Sequence, residues 1–562
     1  MVVTNGRKVT KLVRFFLLIF LSFCLLSSPF NSASLPTSKP KYMINQIESQ
    51  IVNSSTNSEI DESFIYNLTL ALSQIIFSEY DPEHEIPKGR FFGSKGERKA
   101  AEILAENMSK IGLHVKKERL QPITTGMRYP ITRLLELINY NITVNDKHIE
   151  CFVSPSWIHP DISTKDLTRE IHEQQLKIKR LPSNPLIYNH DLAQETEKFV
   201  FITQDRWNDP NGSLPRIDWL KPFFHPLKFY MLFHMTSLFK IRDETRFFVK
   251  NYPNCKGYIL YDFNDDCYDM IYFDEPYKNY LPAIFINGSL GKKIWEEPSE
   301  YTMNIHVQQQ YNKSVESYNV LGQINGTDPS KTIILSSLYD CWWNQGTADS
   351  AIGTAMVLAI GKYFKEHDLQ PKYTLKFICF SGEECDIRGA NYYEAVHKDE
   401  KIVCIIDLNQ IGFSQEYPPL TLDIVSNKVS FLNDLFSIAL DTNYYARTNY
   451  KTDLSKVLMK NIPSNSYPFS LKRNDCNCVS FFKNGGWVLH HRSGRNHTEG
   501  DVFKYYNESD VKLTGELVLN ITKAIALDHR FFESNNLKQG PPFLNLIHYV
   551  TSRIKIGPRN AR

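Results

Sequence analysis

The chain has 562 residues, 42% of them apolar and 22% charged, with a formal net charge of +2. That length exceeds one ordinary core and points to two or three domains, and that composition excludes a disordered chain. No long basic or acidic block occurs, which argues against nucleic acid and against any bulk-charged partner.

In chain order, Lys8, Lys11 and Arg14 precede FFLLIFLSFCLL at 15–26. A basic stretch before a short apolar run reads as a secretory signal, with cleavage expected among Ser32, Ala33 and Ser34. Residues 1–34 are then a signal peptide or, uncleaved, an anchor. The twelve-residue run falls short of the ~20 residues a spanning helix needs. Either way the rest of the chain is expected outside the cytoplasm, secreted or lumenal, with membrane contact only through 15–26. Eleven Asn-x-Ser/Thr sequons accompany this: Asn53, Asn67, Asn107, Asn141, Asn211, Asn287, Asn312, Asn325, Asn496, Asn507 and Asn520. They are consistent with a glycoprotein, although an Asn-rich chain produces many by chance. Ten cysteines include Cys24 in the signal and no C-x-x-C pair, so they form no zinc framework. Cys255 and Cys267 flank one apparent hairpin and are candidates for a disulfide, while Cys379 and Cys404 read as small hydrophobes in buried strands.

Residues 35–62 are Ser/Asn/Pro-rich and read as a linker. A first α/β portion follows at 63–130. ESFIYNLTLALSQIIFSEY has helical spacing, as do Ala101, Ile103, Leu104, Met108 and Ile111, and Gly112 closes that second helix before the strand LHVKKERL. From 131 to 315 aromatics and prolines are dense and strands short, with β-runs at KFVFIT, KGYILYDF and PAIFIN. Residues 219–241 are apolar but interrupted by Lys and Pro, and read as a packed helix rather than a membrane span.

From 316 to 535 strands alternate with helices. SYNVLGQI, TIILSSLYD, YTLKFICFSG and IVCIIDLNQIG are near-continuous apolar runs, as parallel central strands should be. AIGTAMVLAIGKYFKEH and NYYEAVHK lie between them, VSFFKNG and GWVLHH follow, and VKLTGELVLNITKAIALDH closes the domain before a tail at 536–562. The fold class is therefore α/β: an open, mostly parallel sheet with helices on both faces, and a β-rich insert. In such sheets reactive residues gather at the carboxyl ends of strands. Five segments deliver polar side chains there: Asp340; Asp349 in TADSA; Glu383 and Glu384 in SGEE; Asp407 and Asn409 in DLNQIG; His497 and Asp501 in HTEGD.

These segments, in this order, resemble the co-catalytic zinc exopeptidases, whose pattern is H-x-D, D-x-A-x-G, G-E-E, D-x-I-G and H-T-x-x-D. The similarity runs from about Arg90 to Arg530 apart from the insert, and the insert itself resembles the protease-associated domain that many members carry. The resemblance implies a secreted zinc-dependent hydrolase, most simply an aminopeptidase, acting on a peptide or protein N-terminus. It implies Glu383 as general base and a zinc held by Asp349, Glu384 and His497. Asp340 is retained among the catalytic positions. The other metal position is degraded, because Leu338 stands for its His and Asn409 for its acid, so one zinc is expected. Asp407, ~6.6 Å from Asn409 along the same strand face, is a candidate substitute ligand. His490 and His491 read as structural strand-end residues, and Trp342 and Trp343 as pocket lining or core. Asn496, beside His497, is expected to be unmodified. The same zinc trio and TADSA resemble the glutaminyl cyclases, which lack the insert, and the transferrin receptor is a non-catalytic relative; both alternatives stay open at the level of sequence.

Overall fold

The computed structural model describes residues 59–79, 89–121, 134–154, 156–158, 168–181, 190–204, 252–261, 268, 273–275, 281–312, 316–385, 387–412, 421–426, 431, 435, 445–450, 465–473, 476–482 and 497–528. The proposed signal, the segment at 219–241, Cys267, His490, His491 and Asn496 lie outside them. Among the described residues, no helix is long and apolar enough to cross a membrane.

Among the described residues two long helices, with the short helix Ile75–Ser78 between them, precede the first strand. α1 (Glu62–Ser73) is capped by Asp61, whose carboxylate accepts from Phe64 N. α2 (Lys95–Ile111) starts at Ser94, whose hydroxyl accepts from Glu97 N, and ends at Gly112 in a left-handed conformation, φ 86°. Both caps satisfy backbone groups that the first and last helical turns leave free. β1 (His114–Arg119) follows.

The β-rich insert forms a separate sheet of ten strands among the described residues. These are β2 (Leu134–Val144), β3 (Lys147–His148), β4 (Cys151–Val153), β5 (Ser156–Ile158), β6 (Thr168–Arg180), β7 (Phe199–Gln204), β8 (Cys255–Tyr261), β9 (Phe273–Glu275), β10 (Ala283–Ile286) and β11 (Thr302–Asn312). Helix α3 (Gly288–Glu296) packs on β7 and β8. Strand alternation gives this sheet two jobs. Val153, Ile284, Ile286 and Ile259 build the insert's own core, whereas Phe152, Phe285, Ala283 and Leu260, one residue out of phase, join Phe91, Phe92, Trp342 and Trp343 in a second apolar cluster. Cys255 is a free, buried thiol whose Sγ–H donates to Gly257 O, so it is not one arm of the disulfide expected with Cys267. It behaves as a small core hydrophobe.

The main sheet resumes with β12 (Tyr318–Ile324), β13 (Asp328–Leu338), β14 (Tyr373–Phe380), β15 (Ile402–Asn409), β16 (Thr421–Ser426), β17 (Tyr445–Tyr450) and β18 (Asn477–Phe482). With β1 the order is β1-β12-β14-β13-β15-β18-β16-β17. β14, β13, β15 and β18 are mutually parallel, and β12 is antiparallel to β14. The sequence reading took β12 as another parallel strand. Its apolar run reports burial on both faces, which strands of either direction share; its direction is set by the short connection into β13. On one face Ile333, Leu335 and Ile406 meet α1, α2, α4 (Ile352–Glu366) and α6 (Glu508–Leu527). On the other, Ile334, Ile378 and Ile405 meet α5 (Arg388–Val396) and Phe469. Alternate residues of each central strand thus serve opposite helix layers, which explains their unbroken apolar sequence.

Candidate metal centre

β13, β14 and β15 point their carboxyl ends at one edge of the sheet. β13 ends at Leu338, paired with Phe380 at the end of β14, and Asn409 ends β15 opposite Phe482. The chain must turn sharply after β14. Gly382 does so at φ +62°, where a Cβ would lie 2.7 Å from the Phe92 ring, and the turn presents Glu383 and Glu384. Asp340 holds that turn from beneath: its two carboxylate oxygens accept from Glu383 N at 3.1 Å and Glu384 N at 3.3 Å. Asp340 is fully buried, and burial pushes its carboxyl up to about 7. Its contacts are therefore those of a residue that positions the Glu-Glu pair.

Asp349 comes from the segment before α4. Gly346 turns the chain there at φ +55°, in a space where a Cβ would meet Cys341 Cβ at 2.3 Å. The Asp349–Ser350 peptide is cis. Two buried side chains shape this segment. Arg90 donates to the carbonyls of Tyr339, Leu72, Gln345 and Gly346 at 2.7–2.9 Å. Asp501 accepts from Ala348 N at 2.9 Å and Asp349 N at 3.1 Å. Asn344 Nδ2 donates to Thr498 O, and Phe503 N donates to Gln345 Oε1. The segments carrying Asp349 and His497 are thus tied to each other before any ligand is considered. Arg90 was not among the candidate residues of the sequence reading. It stands alone in a Gly-Arg-Phe-Phe stretch, and only the tertiary structure gathers its four carbonyl partners.

Asp349, Glu384 and His497 converge: each offers one ligand atom, and these atoms lie within 4.8 Å of one another. His497 Nε2 is 2.9 Å from Asp349 Oδ2 and 3.3 Å from Glu384 Oε2. The other oxygens, Asp349 Oδ1 and Glu384 Oε1, are buried with no hydrogen-bond partner. Burial disfavours a charged imidazole, but Glu384 and Asp349 outweigh it and hold His497 well above its usual range. Glu384 is pushed up to about 8, by burial first and then by Asp349. Glu383 is also held well above its ordinary range, by burial first and then by Glu384. Packed acids with unused lone pairs need a cation.

Zinc bonds to imidazole and carboxylate run about 2.0–2.2 Å, which places tetrahedral ligand atoms roughly 3.3–3.6 Å apart. The 2.9 and 3.3 Å separations need only a small expansion to meet this. Two carboxylates, one imidazole and two orphaned oxygens fit a zinc ion. The neighbouring positions do not add a second set. Leu338 is fully buried, and Asn409 Nδ2 points at Glu383 Oε1, 3.4 Å away. Asp407 accepts from Ser336 Oγ at 2.7 Å and from Asn465 N at 2.9 Å, so it serves the strand β13 and the Asn465 turn rather than replacing a ligand. Among the described residues this trio is the one cluster suited to a metal.

Trp342 stands edge-on to His497, ring centroids 5.2 Å apart, and Trp343 stacks on Phe91 at 3.9 Å and leans on Phe152 of the insert at 5.1 Å. Both indoles are buried, and they carry the insert's apolar contact directly to the trio. Glu499, two residues beyond His497, accepts from Tyr268 N of the insert at 2.8 Å.

Residues 319–522 match the profile of Peptidase family M28. Over that stretch, a little more than a third of its length, the chain is similar to this peptidase family. The chain is 26% identical over 157 residues to Carboxypeptidase Q of Xenopus laevis, a stretch covering 27% of this chain and 33% of that one, so the match spans a third of that relative's length. Two solved structures share the fold over most of the chain. A zinc aminopeptidase from Bacillus subtilis superposes with a TM-score of 0.56 at 14% identity, covering 85% of this chain and 98% of its own. A peptidase M28 precursor from Shewanella amazonensis gives 0.58 at 14% identity, covering 88% and 98%.

Proposed function

We propose that this M28 domain is a single-zinc exopeptidase that hydrolyses the amino-terminal bond of peptides, in a secreted or lumenal setting, with the β-rich insert acting as a protease-associated domain. The observation that carries the reading is the convergence of Asp349, Glu384 and His497 around one atom-sized space, with two buried oxygens unspent. The peptidase family supports a peptide substrate, and the Bacillus subtilis aminopeptidase of the same fold supports attack at the amino end.

Asp349, Glu384 and His497 would hold the ion. When bound, zinc polarises the scissile carbonyl and lowers the pKa of water toward ~7. Glu383 immediately precedes Glu384 on a turn braced by Asp340 and is not one of the trio. It takes the proton of the attacking water and returns it to the leaving amine. Burial, then Glu384 and Asp349, hold the Glu383 carboxyl well above its ordinary range. A cation held by Asp349 and Glu384 would offset the charge those two acids set against Glu383, which would favour its proton-accepting form. Asn409 Nδ2, near Glu383 Oε1, steadies the carboxylate.

The test is metal content together with turnover of aminoacyl and peptidyl anilides. The native protein should bind one equivalent of zinc and release amino-terminal residues. His497→Ala should lose the zinc. Glu383→Gln should keep it and lose about 10²–10⁴ in kcat. A native protein without zinc would make this a non-catalytic member of the family, and a fully active Glu383→Gln would refute the assigned base.

A further inference from the structure

Gln410 lies one residue beyond β15 and belongs to none of the roles above. Its backbone is left-handed, φ +55°, a conformation that costs a non-glycine residue free energy and needs a reason. Its side chain is buried, and Nε2 donates to Asp349 Oδ2 at 3.1 Å. His497 is another non-glycine residue with a left-handed backbone at this edge, φ +59°, and its Nε2 approaches that same oxygen at 2.9 Å. Two residues held in an uncommon backbone conformation thus aim nitrogens at one carboxylate oxygen. The carboxylate cannot rotate freely. Its backbone N–H is gripped by Asp501, its Oδ2 by Gln410, and only Oδ1 is left without a partner.

We propose that Gln410 is a positioning residue for the metal carboxylate: its amide fixes the plane of Asp349, so that the trio is set for one zinc ion before the ion arrives. This rests on the reading of Asp349, Glu384 and His497 as the zinc site. Gln410 contributes direction and no charge. A neutral donor satisfies one oxygen without competing for the metal. Groups that orient a metal ligand in this way commonly govern affinity by 10–100-fold. Asn409, one residue earlier, faces Glu383 instead, so the two consecutive amides divide between base and ligand. That division makes Asn409 the internal control.

The experiment measures zinc affinity by competition with a chromogenic chelator on the full chain, for native protein and three variants. Gln410→Met keeps the length of the side chain and removes the donor. Gln410→Gly also removes the donor but relaxes the left-handed backbone, so it guards against a variant that fails only through strain. Both should bind zinc 10–100-fold more weakly with the thermal unfolding of the zinc-free protein at or above the native value for Gly. Asn409→Ala should stay within about twofold of native zinc affinity while lowering kcat at unchanged KM. Native affinity in Gln410→Met overturns the proposal, as does a loss in Asn409→Ala equal to that in Gln410→Met, since the effect would then be loosening of the whole strand end. If native protein binds no zinc, the underlying reading and this proposal fall together; if native protein binds and Gln410→Met binds equally, this proposal alone falls.

Discussion

Glu97 is a buried acid held by two hydroxyls and a backbone N–H, and its replacement by Gln makes a strong test of the electrostatics around the site. The residue lies in the first turn of α2, fully buried. Oε1 accepts from the hydroxyls of Ser317 and Ser381, and Oε2 accepts from Gly93 N at 2.6 Å. Burial, and then the charge of Asp340, push its carboxyl from an ordinary 4.5 up to about 8. A folded-state value above the unfolded one means that Glu97 leaves stability intact below pH 4.5. Between 4.5 and about 8 the unfolded chain ionises and the folded chain does not, so stability falls as pH rises. At about 1.36 kcal/mol per unit the whole interval is bounded by roughly 5 kcal/mol, and on the order of 2–4 kcal/mol is expected because Asp340 and Glu97 share the perturbation. Glu97→Gln keeps the shape and an acceptor for Gly93 N, but cannot ionise. Urea unfolding of both proteins at pH 4.5 and pH 8, in the same metal state, should give similar stabilities at the lower pH and a more stable variant at the higher. Parallel stability curves across that window would refute the argument, because they would mean that Glu97 is ionised and compensated in the fold.

Two further outcomes follow from the packing and the site. Trp343→Ala removes an indole stacked on Phe91 and touching Phe152, and should cost about 3–5 kcal/mol, read by chemical denaturation, with limited proteolysis cutting first between insert and peptidase domain; cleavage kinetics equal to native would show that this cluster does not hold the insert. Zinc at about 1,000 times its Kd should stabilise the native chain by about 4 kcal/mol in thermal unfolding, and a chelator should remove that gain; His497→Ala should show neither effect, and a variant that still responds would place the ion elsewhere.

Much of this protein was readable without coordinates. The near-continuous apolar strands announced a sheet covered on both faces, because a strand packed on two layers has no room for polar side chains, as Ile333, Ile334 and Leu335 demonstrate. Asp349, Glu384 and His497 were legible as a set of candidate ligands because their motifs, in this order along the chain, resemble those of the zinc exopeptidases, and the fold does bring the three together. Leu338 and Asn409 were read from the same resemblance as departures from its pattern. Three things needed the fold. The direction of β12 depends on a connection, not on its composition. Asp340, Arg90 and Asp501 take their roles from backbone groups 18 to 256 residues away, and a carboxylate or guanidinium in a sequence does not reveal which N–H or carbonyl it will find. The use of Gln410 depends on a left-handed backbone that turns its amide onto Asp349. Hydrophobic patterning is local and survives in one dimension; hydrogen-bond partnership between distant segments exists only once packing has brought them within about 3 Å.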